Sequence, residues 1–459
     1  MKADSELLLL KELVVDVVEP GHVARSGAVA CELDRHICFN TEILQTFASV
    51  NWQSVVYDAL VVAAAVEFCD RSRARGTVNW GRKFRVFVPV HDPARWADQS
   101  VSRTLADALN FLTGDLWQFS FRARRSAAKP PAQSLIELPR EAEAVIAYSE
   151  GMDSRAAYGL EFLRLRHRLV RVRVGSGRQN DLDSKGGLDV PFAALPYSVK
   201  LDKDNAENSN RSRGFKFSVV AAVAAYLLGA PSVILPESGQ GALGAALLPV
   251  GQGYADYRNH PLFTRRMEKF VLALLGHQIR YRFPRLWSTK GQTLRAFVEQ
   301  CGGNAKWSET RSCWQGARQT SVMRKHRQCG VCAACILRRL SVHAAGLTEQ
   351  DETYVWENLR AGEFREGAAA DFGLATAAMR EYAIAGVLHF EHLALLKVSG
   401  EYELLKRQAA GSIARALGES YDVVASGMDQ LLKQHASEWV AFKGDLGSGS
   451  FVRKWIGSA

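Results

Sequence analysis

Four of the chain's eight cysteines fall in one short stretch, as Cys313, Cys329, Cys332 and Cys335. In the pattern C-x15-C-x2-C-x2-C the tight half can wrap one ion and the distant member can close a tetrahedron, so Trp314 to His326 must double back. Zinc suits four thiolates best. Such a closed site leaves no position for a reactive water, which makes the ion's task structural. An iron–sulfur cluster also takes four cysteines, and spacing does not separate the two. Cys31, Cys38, Cys69 and Cys301 are scattered. The short leucine run near the N-terminus is flanked by Asp4, Glu6 and Glu12, which spoil a signal peptide, and no small-residue cleavage site follows, so the sequence predicts a cytoplasmic protein. In that setting clustered cysteines read as metal ligands before disulfides.

A length of 459 residues with 47% hydrophobic content exceeds one usual domain and predicts two or three. The net charge of +10 favours anionic partners such as nucleotides, nucleic acid or an acidic protein. An uncharged stretch from Phe217 to Pro236 is long enough to cross a bilayer, but Gly229-Ala230-Pro231 breaks it. It reads as a buried helix, a turn and a buried strand, and no membrane association is expected. Residues 1–140 read as an accessory α+β unit, with helices at Ala59–Phe68 and Val101–Leu112 and a strand at Phe84–Val90. Ser126 to Ala142, with Lys129-Pro130-Pro131, reads as a linker.

From residue 141 the pattern alternates: strand Ala144–Tyr148, helix Met152–Leu165, strand Leu169–Val174, helix Phe215–Leu228, strand Ser232–Leu235. A βα alternation predicts a parallel sheet flanked by helices, whose ligands lie beyond the carboxyl ends of the strands. Ser149–Ser154, Gly175–Gln179 and Glu237–Gly241 should therefore converge. Residues 348–459 read as a helical extension, and Gly447-Ser448-Gly449-Ser450 as a flexible stretch.

The first of those turns reads Ser149-Glu150-Gly151-Met152-Asp153-Ser154. Free N–H groups at a helix start form an anion site, to which the Ser149 and Ser154 hydroxyls add donors. Asp153 could hold Mg2+ against a pyrophosphate, since hard cations prefer oxygen. The arrangement suits ATP bound by Ser149, Glu150, Gly151, Met152, Asp153, Ser154 and Gly175, although a Ser/Asp cap that merely starts a helix has the same look. The segment resembles the PP-loop signature Ser-Gly-Gly-x-Asp-Ser of ATP pyrophosphatases, from which Glu150 departs. A carboxylate there would repel phosphate unless turned outward.

Over about Ala144 to Leu347 the chain resembles the QueC family of 7-cyano-7-deazaguanine synthases. Asn210-Arg211-Ser212-Arg213-Gly214-Phe215 is similar to the family's Gly/Ala-Arg-Asn-Thr segment. Phe283-Pro284 with Thr289-Lys290 is similar to its Pro-x-x-x-(Ser/Thr)-Lys segment, and Asp256-Tyr257-Arg258-Asn259-His260-Pro261 to its substrate loop. Arg311-Ser312-Cys313-Trp314 and the Cys329–Cys335 run resemble its zinc-binding tail. The flanking regions resemble the QueC-like proteins of the CBASS and Qat antiphage systems.

That resemblance implies an adenine nucleotide alpha hydrolase-like PP-loop fold and a carbon–nitrogen ligase using ATP, Mg2+ and Zn2+. The carboxylate of 7-carboxy-7-deazaguanine, or a similar deazapurine, would be adenylated and passed to an amine, typically the N-terminus of a partner protein encoded nearby. Asp153, Ser154, Lys290, Arg211 and Arg213 are the catalytic candidates, the cations offsetting charge on phosphate and carboxylate. Glu237, Arg258 and His260 are the substrate candidates. Glu237 could accept hydrogen bonds from a guanine-like edge, and His260 could take the amine's proton or be structural. Three alternatives stay open: a free nitrile-forming enzyme using ammonia, a non-catalytic nucleotide-binding subunit, and a tRNA-modifying PP-loop enzyme. No recognised RNA-binding module supports the last, so nucleic acid is not the expected substrate.

Overall fold

The computed structural model of the chain describes residues 12–39, 53–76, 80–126, 141–149, 151–174, 195–249 and 254–457. Glu150, Gly175 to Gln179 and most of the expected linker lie outside the described residues. The chain forms two compact units that interleave along the sequence rather than following it in order. One takes Met1–Ser149, Leu165–Leu235 and Asp256–Arg282; the other takes Glu150–Arg164, Pro236–Ala255 and Phe283–Ala459.

The first unit begins with β1 (Glu12–Val18), β2 (Val29–Glu32), α1 (Ser54–Ser72), β3 (Lys83–Val90), α2 (Gln99–Thr113) and β4 (Leu116–Ala123). These strands pair in the order β2-β1-β3-β4, and every pair is parallel. The mixture of helix and strand read from the sequence thus takes an α/β form. α1 is apolar nearly all round, and Val55 to Val66 are all buried, as a helix without a polar face must be.

The chain continues through β5 (Ala144–Tyr148), α3 (Met152–Leu165), β6 (Leu169–Arg173), α4 (Arg213–Leu228), β7 (Ser232–Ile234), α5 (Pro261–Leu275) and β8 (Arg280–Arg282). The strands form the expected parallel sheet, in the order β8-β7-β5-β6. Continuous apolar runs such as Val145-Ile146-Ala147 are buried, the signature of a sheet covered on both faces. The uncharged stretch resolves as read: α4 is largely buried, Gly229 ends it at φ 66°, where a side chain would be strained, and β7 follows. Among the described residues no helix is long and apolar enough to cross a membrane.

In the second unit α3 is joined by α6 (Lys290–Cys301), α7 (Ala333–Ala344), α8 (Ala377–Leu395), α9 (Tyr402–Leu417), α10 (Tyr421–Leu446) and α11 (Phe451–Gly457). The C-terminal region is helical as expected. One core cluster joins Cys329, Cys332, Cys335 and Ile336 to Trp356, Val387, Trp439, Phe442 and Phe451. One sequence expectation needs correction: in the Gly447–Ser450 stretch Ser448 and Gly449 form an exposed turn, but its end is held, since Ser450 is fully buried and its Oγ donates to the Leu359 carbonyl at 2.6 Å. The apolar face of α3 is Met152, Ala156 and Leu160, packed on Leu294 and Phe297, while Leu163 is exposed.

Candidate functional site

The start of α3 lies three residues past β5, and Gly151 provides the first carbonyl of the helix, accepting from Arg155 N–H at 3.2 Å. Met152 turns its side chain into the core beside Phe297, and Ser154 is buried. Asp153 keeps the polar side. Lys290 Nζ, at the first position of α6, donates to Asp153 Oδ2, and both side chains are about nine-tenths buried. Two residues 137 positions apart, one from the loop motif and one from the Thr-Lys segment, thus form one ion pair. Asp153 Oδ1 is buried without a hydrogen-bond partner among the described residues. A buried orphan carboxylate oxygen is the kind of donor a hard cation seeks, so Asp153 fits the Mg2+ role.

α6 starts with a capping box. Thr289 Oγ1 accepts from Gln292 N–H at 3.1 Å, while Gln292 Oε1 accepts from Thr289 N–H at 2.9 Å. Gln240 Oε1 accepts from Lys290 N–H at 2.8 Å. Glu237, three residues upstream, is partly buried and already engaged.

Within the first unit a second group gathers. Arg258 folds over its neighbour Asp256, with Nη2 to Oδ2 at 2.5 Å and Nε to both oxygens at 2.9 Å. Burial alone would raise the Asp256 carboxyl, but the charge and hydrogen bonds of Arg258 outweigh it and hold the group ionised below the usual range. Arg211 shares this field and lies over the Trp80 ring at 5.2 Å; burial pulls its pKa down, opposed by Asp256. Ser212 N–H donates to Asp70 Oδ2 at 2.8 Å, and Asp70 Oδ1 takes Arg82 Nη2 at 2.5 Å. Gly214 lies so close to Arg258 that an added Cβ would meet its Cα and carbonyl oxygen at 2.9 Å. Arg213 is exposed, with its guanidinium 4.9 Å from the Phe217 ring centroid.

His260 caps α5. Its Nδ1 accepts from Leu262 N–H at 3.1 Å, and burial pulls its pKa down to about 3. The ring is neutral at physiological pH and its Nδ1 lone pair is committed to the cap, which leaves proton removal without an available acceptor there. Of the two roles read from the sequence, the structural one fits this geometry.

The four cysteine Sγ atoms all lie within 4.8 Å of one another, and Cys329 Sγ sits 3.7 Å from Cys335 Sγ. Tetrahedral zinc with Zn–S of about 2.3 Å would set its sulfurs roughly 3.8 Å apart. Backbone amides aim at the sulfurs: Cys329 N–H and Gln315 N–H at Cys313 Sγ, 3.2 and 3.3 Å, and Cys332 N–H at Cys329 Sγ, 3.2 Å. Hydrogen bonds from the neighbouring thiols drive Cys313 far below the ordinary thiol range, while burial drives Cys335 well above it. Four thiols this close cannot all ionise without a cation among them, so the donor set is compatible with zinc.

The run from Arg311 to Arg339, which contains no acid, is less basic in space than in sequence. Arg338 is fully buried, its Nε on Glu349 at 2.7 Å, and Arg327 pairs with Glu357 at 2.6 Å. The balancing carboxylates lie just beyond the run.

These features define a mixed α/β protein with parallel sheets, a helical C-terminal region and a four-cysteine cluster compatible with zinc. Residues 218–346 match the family model of queuosine biosynthesis protein QueC, a PP-loop family, and the match supports a QueC-like chain with ATP-using chemistry. It takes in Glu237, Arg258, His260, Lys290 and all four cysteines, and begins after Ser149–Ser154, Arg211 and Arg213. No curated protein and no solved structure was found to match the chain.

Sequence reasoning missed Trp80, Asp70, Gln240, His435 and Glu438 as neighbours of candidate residues, and the influence of Asp256 on Arg211. All of these come from distant segments, whereas the Asp256–Arg258 pair and the Thr289-x-x-Gln292 capping box are local.

Proposed function

We propose that the chain adenylates the carboxylate of 7-carboxy-7-deazaguanine, or a close deazapurine, and passes the acyl group to an amine. The carboxylate oxygen attacks the α-phosphorus of ATP and pyrophosphate leaves. The amine then attacks the acyl carbon, AMP leaves, and the amine gives up a proton. The observation that carries this reading is the buried Asp153–Lys290 pair, a cation and a carboxylate with one orphan oxygen beside a helix start. Asp153 would hold Mg2+, with Ser149, Gly151, Met152 and Ser154 lining the phosphate site together with Glu150 and Gly175. Lys290, Arg211 and Arg213 would offset developing charge, and Glu237 and Arg258 would receive the deazapurine acid. Zinc would hold the cysteine knuckle in shape.

The acceptor in this reading is the N-terminus of a partner protein, in antiphage defence in the cytoplasm, with residues 1–140 and 348–459 as accessory regions. Support for it is the resemblance of the flanking regions to CBASS and Qat proteins. A second product, the free nitrile formed with ammonia, is favoured by the family match itself. Incubation with ATP and 7-carboxy-7-deazaguanine, with and without neighbouring gene products, separates them by mass spectrometry. A mass gain on a protein supports conjugation, a free nitrile supports the second product, and no acid-dependent AMP or pyrophosphate release would sink both.

A further inference from the structure

Helix α10 lies outside the family match, yet one of its buried side chains, Glu438, reaches the start of α6 directly and another, His435, reaches it through Gln240. His435 is fully buried. Its Nδ1 lies 2.8 Å from Gln240 Nε2 and its Nε2 lies 2.9 Å from the Phe390 carbonyl, which fixes the tautomer: Nε2 carries the proton and Nδ1 accepts. The other end of the Gln240 amide accepts from Lys290 N–H at 2.8 Å. One turn further along, Glu438 Oε1 accepts from Thr289 Oγ1 at 2.7 Å and from Gln434 Nε2 at 3.0 Å, while Oε2 is buried without a partner among the described residues. Residues three apart share a helix face, so one face of α10 holds Thr289 directly and the Lys290 backbone through the Gln240 amide.

Starting a helix does not require this. The capping box of Thr289 and Gln292 already ties off the first turn of α6, and burying an imidazole, an amide and a carboxylate carries a desolvation penalty. Nor is there slack at the junction: a Cβ added at Gly291 would meet Ala344 Cβ at 2.7 Å and the Glu438 carboxylate at 3.3 Å. What these contacts do fix is the backbone from which the Lys290 side chain reaches Asp153.

We propose that His435 and Glu438 are positioning residues for Lys290, so that the site is complete only when α10 is docked. The inference rests on the proposed adenylation for its activity readout, and on the Lys290–Asp153 pair alone for a second readout. In the full-length protein, His435→Phe and Glu438→Leu remove the hydrogen bonds, whereas His435→Asn and Glu438→Gln keep an acceptor toward Gln240 and Thr289. Pyrophosphate exchange dependent on the deazapurine acid should fall about 100-fold in kcat for the apolar pair, with KM for ATP changed far less, because a displaced cation acts on the transition state. The conservative pair should recover most of that loss. Labelling of Lys290 by an amine-reactive reagent, followed on its own peptide, should run several-fold faster in the apolar pair.

Exchange within about threefold of the parent in all four variants overturns the proposal. So does a loss that merely tracks the fall in Tm without rescue by the conservative variants. If the parent shows no exchange while labelling still separates the variants, the adenylation reading falls and the positioning role stands. Equal labelling of Lys290 in all variants overturns the positioning role whatever exchange does.

Discussion

Asp153 and Lys290 meet because the first turns of two helices face each other, with Asp153 second in α3 and Lys290 first in α6, and both side chains are largely buried, so the pair matters. Replacing Lys290 by Met should remove the cation while keeping the chain length of the side chain, and leave Asp153 buried and unpaired. Pyrophosphate exchange should drop by roughly 100-fold to 1000-fold, the range seen when one charge-stabilising donor is lost. The protein should also lose on the order of 3 kcal/mol, because breaking one side of a buried pair strands the other. Urea denaturation and steady-state exchange check both halves. Buried histidines make a separate prediction. His260, His389 and His435 are pulled by burial to about 3, 4 and 4 from an ordinary 6.5. Below pH 6.5 the unfolded chain takes up their protons while the folded chain does not, so stability must fall as pH drops toward 4. Each group contributes about 1.4 kcal/mol per pH unit over that window. His260→Asn keeps the helix cap and removes one titration, so its acid slope in urea midpoints should be shallower than the parent's.

At the scale of elements, the helices and strands around the site follow from local pattern. β5 and α3 occupy the residues their periodicity predicts, since an unbroken apolar run and a 3.6-residue repeat are local properties. What approaches an element is not local. Gly214 is glycine because the Arg258 backbone passes 2.9 Å from where its Cβ would stand. Gly214→Ala should push the Arg211 segment and the Asp256–Arg258 turn apart and destabilise the fold by about 1–3 kcal/mol, the usual toll of overpacking. Chemical denaturation measures it, and an unchanged midpoint would contradict the contact. The cysteine knuckle was legible from spacing alone, and its geometry predicts one bound zinc per chain by elemental analysis. Chelation, or Cys332→Ser, should release the metal and lower Tm, because the thiols lie inside the core that α10 and α11 complete.

Across the whole molecule, the helical C-terminal region shares its core with the knuckle. Trp356, Trp439, Phe442 and Phe451 pack in one cluster with Cys329, Cys332 and Cys335. A chain ended at residue 347 should therefore expose that core, unfold without a cooperative transition and lose zinc, which circular dichroism and metal content would show. From the residues alone, the parallel sheet, the helix starts, the four-cysteine cluster and a QueC-like resemblance were already legible, since each depends on neighbours within a few dozen positions. Only the tertiary structure decided that Lys290 lands on Asp153, that Arg211 shares the field of Asp256, that Arg338 and Arg327 of the basic run pair with Glu349 and Glu357, and that Glu438 and, through Gln240, His435 reach the start of α6. Those pairings join segments far apart in the chain, and period or spacing carries no record of which distant side chain will fill the space beside a given one.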